Sequence, residues 1–427
     1  MLNIAKDIRR NLPAEIQNIL KKIGSIADAS NFKAYIVGGF VRDLLLGVKN
    51  LDVDIAAEPN AIALAQIFAK KFKCQAVFHK RFGTATVMLP SGLKLDFATA
   101  RTEYYEHPAA LPVVEFASIK EDLTRRDFTI NAMAARLNRK EFGELMDFHS
   151  GLTDLREKKI RVLHDLSFVE DPTRVFRAVR FEQRYHFKIE PHTEHLINTA
   201  AGLGMLSKTG KQRIRDEIIL LLKEPDPLNC VIRMSELHEL RFLHPKINFT
   251  KETARLFSSI KKACAWYKTS YPRKRQIDLW LIYLFAILDT LSEKETEEFV
   301  RNFVFRKGEE LRIMSVKQKV SAALRVLKKT SIAPHAVYQA LEPLSFEAIL
   351  YAMAKSSGKT AYRHMSCFFG KYNSMRLAIT GKDIKAAGFK PGPYFRGILE
   401  KTLYAKIDGK LHGREEELTY ALKVARS

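Results

Sequence analysis

The chain has 427 residues, 46% of them hydrophobic, with 71 Lys+Arg against 48 Asp+Glu for a net charge of +23. This is a folded protein long enough for two to four compact units, and its excess of positive charge points to a polyanionic partner. No apolar run reaches the ~18 residues of a membrane span, and the scattered cysteines Cys74, Cys230, Cys264 and Cys367 make neither a zinc spacing nor a disulfide framework, which fits a reducing compartment.

Residues 1–28 contain no apolar signal core and read as an amphipathic helix, so a cytoplasmic protein is expected. Residues 35–55, YIVGGFVRDLLLGVKNLDVDI, give a β-type run, a Gly38-Gly39 turn, an Arg42-Asp43 pair, a short apolar helix, and then Asp52 and Asp54. Side chains alternate along a strand, so two aspartates spaced i, i+2 project to one side about 7 Å apart. Carboxylates held that way can grip a pair of divalent cations that clamp an in-line phosphoryl displacement. A Gly-Gly is often only a turn, and Asp-Val-Asp only a cap. Their order and spacing carry the inference, because glycines before a helix let a backbone approach phosphates with its N–H groups exposed. The third glycine of a dinucleotide fingerprint is absent. Because the cysteines make no zinc spacing, any metal is expected to be held by oxygen ligands, as Mg²⁺ is.

Residues 84–99, TATVMLPSGLKLDFAT, predict a hairpin with a Pro90-Ser91-Gly92 turn. Leu93, Leu95 and Phe97 fall on one face and Asp96 on the other, where it could complete the metal cluster or accept the proton of an attacking hydroxyl. Residues 121–134, EDLTRRDFTINAMA, hold Arg125, Arg126, Asp127 and Asn131 at helix-like intervals. Arginine forks suit phosphate oxygens and asparagine suits a ribose hydroxyl. In EDPTRVFRAVRF, residues 170–181, Arg174, Arg177 and Arg180 fall on one helical stripe behind Glu170 and Asp171. Pro172 fits the first turn of that helix and Asp171 can cap it. An Asp and an Arg together can present an acceptor and donors to the Watson–Crick edge of a base.

The KEPDP sequence at 223–227 breaks the helical pattern. Beyond it only helices are predicted, among them a buried one at 280–288 and a boundary near Ser331–Pro334. Four pieces result: residues 1–148, an α/β head with a small mixed sheet; 149–224, a helical neck; 225–330, a helical body; and 331–427, a helical tail. Residues 251–427 hold 33 Lys+Arg against 17 Asp+Glu, an excess of +16, and residues 1–250 an excess of +7. Nucleic-acid binding is therefore expected of the C-terminal part.

GGFVRD, LDVDI, RRDFTINAMA and EDPTRVFRAVRF, in that order over residues 35–181, resemble the class II tRNA nucleotidyltransferase and bacterial poly(A) polymerase family. The resemblance implies that Asp52 and Asp54 bind the metals and that Asp96 is the helper carboxylate. Gly38, Gly39 and Arg42, with the adjoining Asp43, would form the triphosphate turn, and Arg126, Asp127 and Asn131 the ribose and phosphate motif. Glu170, Asp171 and Arg174 would read incoming CTP or ATP without a template, with Arg177 and Arg180 on the same nucleotide-binding stripe. Residues 211–222 look like the family's bracing helix, and 380–411 like a bacterial tail segment.

The implied activity is addition of C and/or A to the 3′ end of tRNA, with the acceptor and TΨC arms docked by shape and backbone. The stretch at 100–116, which includes His107 and Pro108, lacks the pair of arginines that many full CCA-adding relatives carry there. This favours a CC-adding enzyme whose product a partner enzyme completes; some members of the subgroup that shares the job are fused to upstream domains, so the chain could be the C-terminal portion of a longer protein. The alternative is a poly(A) polymerase. A non-catalytic RNA-binding relative would not need the carboxylates, and a DNA-directed enzyme would share only the two-aspartate site.

Overall fold

The structure, a computed structural model, describes residues 2–104, 113–237, 240–272, 275–356 and 358–426. It divides into two compact units, Met1–Phe242 and Leu243–Ser427. The first opens with α1 (Ala5–Asn11) and α2 (Ala14–Ala29). The single N-terminal helix expected from periodicity is thus two, broken at Leu12-Pro13, where proline cannot donate to the ladder.

There follow β1 (Lys33–Val37), α3 (Gly39–Leu46), β2 (Val53–Glu58), α4 (Ala61–Phe72), β3 (Gln75–His79), β4 (Thr84–Met88), β5 (Lys94–Thr99), β6 (Arg101–Tyr104), β7 (Val113–Phe116), α5 (Ile119–Thr124), β8 (Met133–Arg136) and β9 (Leu145–Asp147). Seven strands form one sheet in the order β3-β4-β5-β2-β1-β8-β9. The β2–β5 pair is parallel and the others antiparallel, so the sheet is mixed as expected. Strands β6 and β7 form a separate hairpin. Its connecting residues, and with them His107 and Pro108, lie outside the described residues.

The sheet's two faces are covered differently, and that difference makes the site. On one face Leu95, Phe97 and Val87 are buried, with Phe97 6.1 Å from Phe68 of α4. On the other face α5 drops Ile119 and Leu123 onto Tyr35, Val37, Ala56 and Ala134, which covers the β2-β1-β8 half. The β5-β4-β3 half of this second face is open: Asp96 and Thr86 are half-buried, and Val77 is 58% exposed. The cap of α5 is a Ser118–Glu121 box, and Asn60 caps α4 through the Ala63 N–H.

Residues 121–134 do not continue as a helix. After Thr124 the chain turns, with one 3₁₀ turn at Thr129–Asn131, so Arg125, Arg126, Asp127 and Asn131 lie on a loop between α5 and β8. The Asp127 carboxylate accepts from the Phe128 N–H at 2.9 Å, a local bond that competes with helix formation.

The unit continues with α6 (Gly151–Glu157), β10 (Lys159–Ile160), α7 (Ser167–Glu170), α8 (Arg174–Tyr185), β11 (Lys188–Ile189), α9 (Pro191–Gly202), α10 (Met205–Lys208), α11 (Lys211–Leu222) and α12 (Pro227–Glu236). Helix α8 begins later than expected. Thr173 holds its N-cap, and Asp171 accepts from the Thr173 N–H at 3.0 Å and hydroxyl at 2.6 Å. Pro172 therefore stands in the preceding turn and not within the helix. The expected break at 223–227 falls between α11 and α12.

The second unit is helical throughout its described regular elements. Its helix Leu279–Ile287 is buried from Trp280 to Ile287, and a gap separates the helices Ser321–Leu327 and Pro334–Leu341. Among the described residues no helix is long and apolar enough to cross a membrane. The four cysteines are free.

Candidate active site

The end of β1 places the first part of the site. Gly38 has φ +67° and ψ −131°, and a Cβ there would stand 2.2 Å from Nη1 of Arg126. Only glycine meets both demands. Helix α3 starts at the next residue, and Gly39 lines a cleft of about 640 Å³. Asp43, one turn into α3, accepts from Asn50 Nδ2 at 2.7 Å and from the Tyr185 hydroxyl at 3.0 Å. Asn50 Oδ1 in turn accepts the Asp52 N–H at 2.9 Å, so Asp43 fixes the loop that delivers Asp52.

Asp52 sits one residue ahead of β2, and Asp54 is the second residue of that strand. Both carboxylates line the cleft. Asp54 is in register with Asp96 across the parallel β2–β5 pair, which sets the two on one face at roughly the 5 Å strand spacing. Both oxygens of Asp96 are engaged, Oδ1 by the Thr86 hydroxyl at 2.7 Å and Oδ2 by Lys94 Nζ at 2.6 Å. Desolvation by the cleft walls pushes the Asp54 carboxyl up to about 6; Arg126 opposes this, and the negative charges of Asp96 and Asp52 add to it.

The opposite wall carries the arginines. Arg177 of α8 donates through Nε and Nη2 to Asp127 Oδ2 at 2.8 and 2.6 Å, and Asp127 Oδ1 accepts from Asn131 Nδ2 at 2.9 Å. Asn131 Oδ1 accepts from Arg42, whose Nε also donates to Asp43. Arg42 is buried, its guanidinium 4.6 Å from the Tyr185 ring centre and 5.1 Å from that of Phe181. Burial disfavours the charge on Asp127, but Arg177 and Asn131 outweigh it and hold the carboxyl at about 2. Arg174 donates to the Ser167 hydroxyl at 2.6 Å and the Arg125 carbonyl at 3.2 Å, and Arg213 of α11 stands 2.8 Å from Asp171 Oδ1.

The cleft gathers Gly39, Arg42, Asp52, Asp54, Arg126, Asp127, Asn131, Asp171, Arg174 and Arg177 from the sequence reading. Gly38, Asp43 and Asp96 adjoin it through the contacts above. Glu170 lines a neighbouring cleft of about 630 Å³, beside His164 at 3.3 Å. Arg180 is buried among Glu217 and Glu224. Sequence reasoning missed Glu103, Phe181 and Arg184, which line the cleft, and Lys94. Lys94 was findable, since i and i+2 share a strand face and put it beside Asp96. Glu103, paired with Arg125 at 2.6 Å, carried no such signal.

Carboxylates on the open face of a sheet's central strands, beside a glycine turn and a wall of arginines, suit the handling of nucleotide phosphates. The head matches the family model "Poly A polymerase head domain" over residues 34–161, and residues 186–250 match "Probable RNA and SrmB- binding site of polymerase A". The A-adding tRNA nucleotidyltransferase of Geobacter sulfurreducens is 39% identical over 98% of this chain and 48% of its own length. That of Halalkalibacterium halodurans is 30% identical over 98% of this chain and 95% of its own. The Thermotoga maritima CCA-adding enzyme complexed with tRNA superposes with a TM-score of 0.76 at 34% identity, covering 99% of each chain. The chain belongs to the tRNA nucleotidyltransferase family, and it spans about half the length of the Geobacter relative.

The donor set fits a hard divalent cation. Asp52 and Asp54 offer oxygen only, and Asp54 stands among like charges that a cation would neutralise. Among the described residues no group of three or more His, Cys, Asp or Glu side chains is gathered to hold a metal.

Proposed function

We propose that the protein adds nucleotides to the 3′ end of tRNA without a template, drawing on ATP and/or CTP and releasing pyrophosphate. The observation that carries this reading is the registered pair Asp54 and Asp96 beside the Gly38-Gly39 turn, with Asp171 and Arg174 across the same cleft. Asp52 and Asp54 would hold Mg²⁺, which would supply positive charge beside the attacking hydroxyl and the leaving pyrophosphate. The backbone of Gly38 and Gly39 receives the triphosphate, with Arg126 beside it. Arg42 acts from behind by holding Asn131 and Asp43 in place. Asp96, fixed by Thr86 and Lys94, orients the RNA 3′ hydroxyl. Asp171 offers an acceptor and Arg174 donors to the base edge. The four-part division at 148, 224 and 330 belongs to this proposal, with the basic tail docking the acceptor and TΨC arms.

Of the three nucleotides, terminal A is the addition we favour over the CC preference read from residues 100–116. Two relatives aligned along 98% of this chain carry the A-adding name. Completion of CCA then requires a partner enzyme that adds CC. The test is extension of tRNA transcripts ending at the discriminator base, at C and at CC, with Mg²⁺ and CTP, ATP or both. A single A on the CC-ended transcript alone is expected. Two C additions without A would restore the CC-adding reading. Asp52→Ala and Asp54→Ala should abolish transfer while tRNA binding persists, and a variant extending at the wild-type rate would remove the two-aspartate assignment.

A poly(A) polymerase is the second reading, favoured by the description of the head-domain family model. Long A tails on unrelated RNA would establish it.

A further inference from the structure

Pairing across the sheet defines a row: Asp54 is opposite Asp96, Asp96 opposite Thr86, and Thr86 opposite Val77. Residues paired in register project to the same face, so the catalytic face continues without interruption to the edge strand β3. Val77 stands two strand spacings from Asp96, about 10 Å. Its flanking residues on this face are uncovered as well: Gln75 and His79 on β3 and Met88 on β4 are exposed. Helix α5 covers only the other half of the face.

The charge of this region is one-sided. Between Glu58 and Asp96 the sequence contains no acidic residue, and outside α4 it holds four cations, Lys73, Lys80, Arg81 and Lys94. Lys73 precedes the edge strand and Lys80 and Arg81 follow it, so cations flank both ends. Beside them Phe82 is 54% exposed, with the Arg81 guanidinium 5.7 Å from its ring centre. An open strip with β-branched and thioether side chains, bordered by cations and an exposed ring, suits a single RNA strand: phosphates meet the cations, and bases lie on apolar or aromatic surface.

We propose that the open face of β5-β4-β3 is the track for the single-stranded RNA 3′ end, holding the nucleotides just behind the reacting hydroxyl. This rests on the reading of the site as an RNA-extending one. The track delivers the hydroxyl to Asp96 from the β3 side, while the nucleotide enters from the arginine wall across the cleft. The two substrates therefore touch different residues, and their apparent affinities can be altered separately.

The experiment compares steady-state constants for the full chain and its variants, varying in turn a CC-ended tRNA and ATP. Val77→Glu should raise the KM for the RNA tenfold or more, with the KM for ATP changed less than twofold, and the loss should shrink at high salt. Val77→Thr, which keeps a β-branched side chain, should behave as wild type. Gln66→Glu places the same charge on α4, on the sheet's other face, and should leave both constants unchanged. Lys80→Glu with Arg81→Glu should raise the RNA KM in the same direction. An unchanged RNA KM in a Val77→Glu protein of wild-type Tm would overturn the track, as would an equal rise in both constants. A segment that binds another protein would leave both constants alone, which also overturns it. Failure of the wild-type chain to extend any RNA would instead sink the proposed function itself.

Discussion

Asp127 and Arg177, fifty residues apart, form a two-pronged ion pair in which a single carboxylate oxygen accepts both Nε and Nη2 of the guanidinium. Through Asn131 the pair reaches Arg42, so one hydrogen-bonded chain runs from α3, the helix of the glycine turn, to α8.

Asp127→Asn should lower stability by about 2 kcal/mol, less than a fully enclosed pair because Arg177 is a third exposed. The pH dependence follows in sign. The Asp127 carboxyl is held at about 2, below the ordinary 3.8, so its stabilisation is present above pH ~4 and disappears as pH falls toward 2. Chemical denaturation between pH 2 and 6 should show that loss in wild type and a shallower slope in Asp127→Asn. Parallel curves would remove the pair from the account.

The carboxyl of Asp54 lies at about 6, so protons compete with a divalent cation for it. The apparent affinity for Mg²⁺ should be flat near pH 8 and weaken as pH falls through 6, approaching tenfold per unit below it. Calorimetric titration of Mg²⁺ at pH 5, 6 and 8 measures this, and a pH-independent affinity contradicts it.

Gly38→Ala forces a side chain into a left-handed conformation and against Arg126. A cost of at least ~2 kcal/mol is expected from the backbone strain. Displacement of Arg126 should also weaken nucleotide binding more than tenfold. Thermal melting and a fluorescent ATP analogue report the two effects separately; wild-type values in both would show that the turn can relax.

Lys94→Ala removes the cation from Oδ2 of Asp96 and leaves the Thr86 bond intact. Lys94 is half exposed, so Tm should hold within a degree or two. Mg²⁺ should bind a few-fold tighter without the competing ammonium, and kcat should fall several-fold because Asp96 is less firmly oriented. A fall in Tm with unchanged kcat would make Lys94 a structural residue only.

Much of the head was legible because its signals are local. Strand alternation gave the β4–β5 hairpin and put Asp96 on the face away from Leu95 and Phe97; the structure pairs β4 with β5 and opens Asp96 toward Asp54. What escaped was whatever depends on partners distant in sequence. The spacing of Arg125, Arg126, Asp127 and Asn131 looks helical, yet long-range bonds from Arg125 to Glu103 and from Arg177 to Asp127 hold that segment as a loop. Arg42 looks like a free phosphate ligand until Asn131, Asp43 and Tyr185 close around it. The stripe Arg174, Arg177, Arg180 is periodic, but periodicity cannot reveal which member meets a ligand and which meets Glu217 or Glu224.

That division of labour along α8 bears on how such an enzyme can be retuned. Arg177, Arg180 and Arg184 act as rivets fastening the helix to Asp127, Glu217 and Glu224, and a change in any of them loosens the frame before it alters preference. Among the described residues Asp171 is tethered through Oδ1, by Thr173 and Arg213. If Asp171 reads the base as proposed, a laboratory effort to exchange one nucleobase for another has a narrow target: the tether at Arg213, which holds Oδ1 of Asp171, while the riveted helix stays as it is.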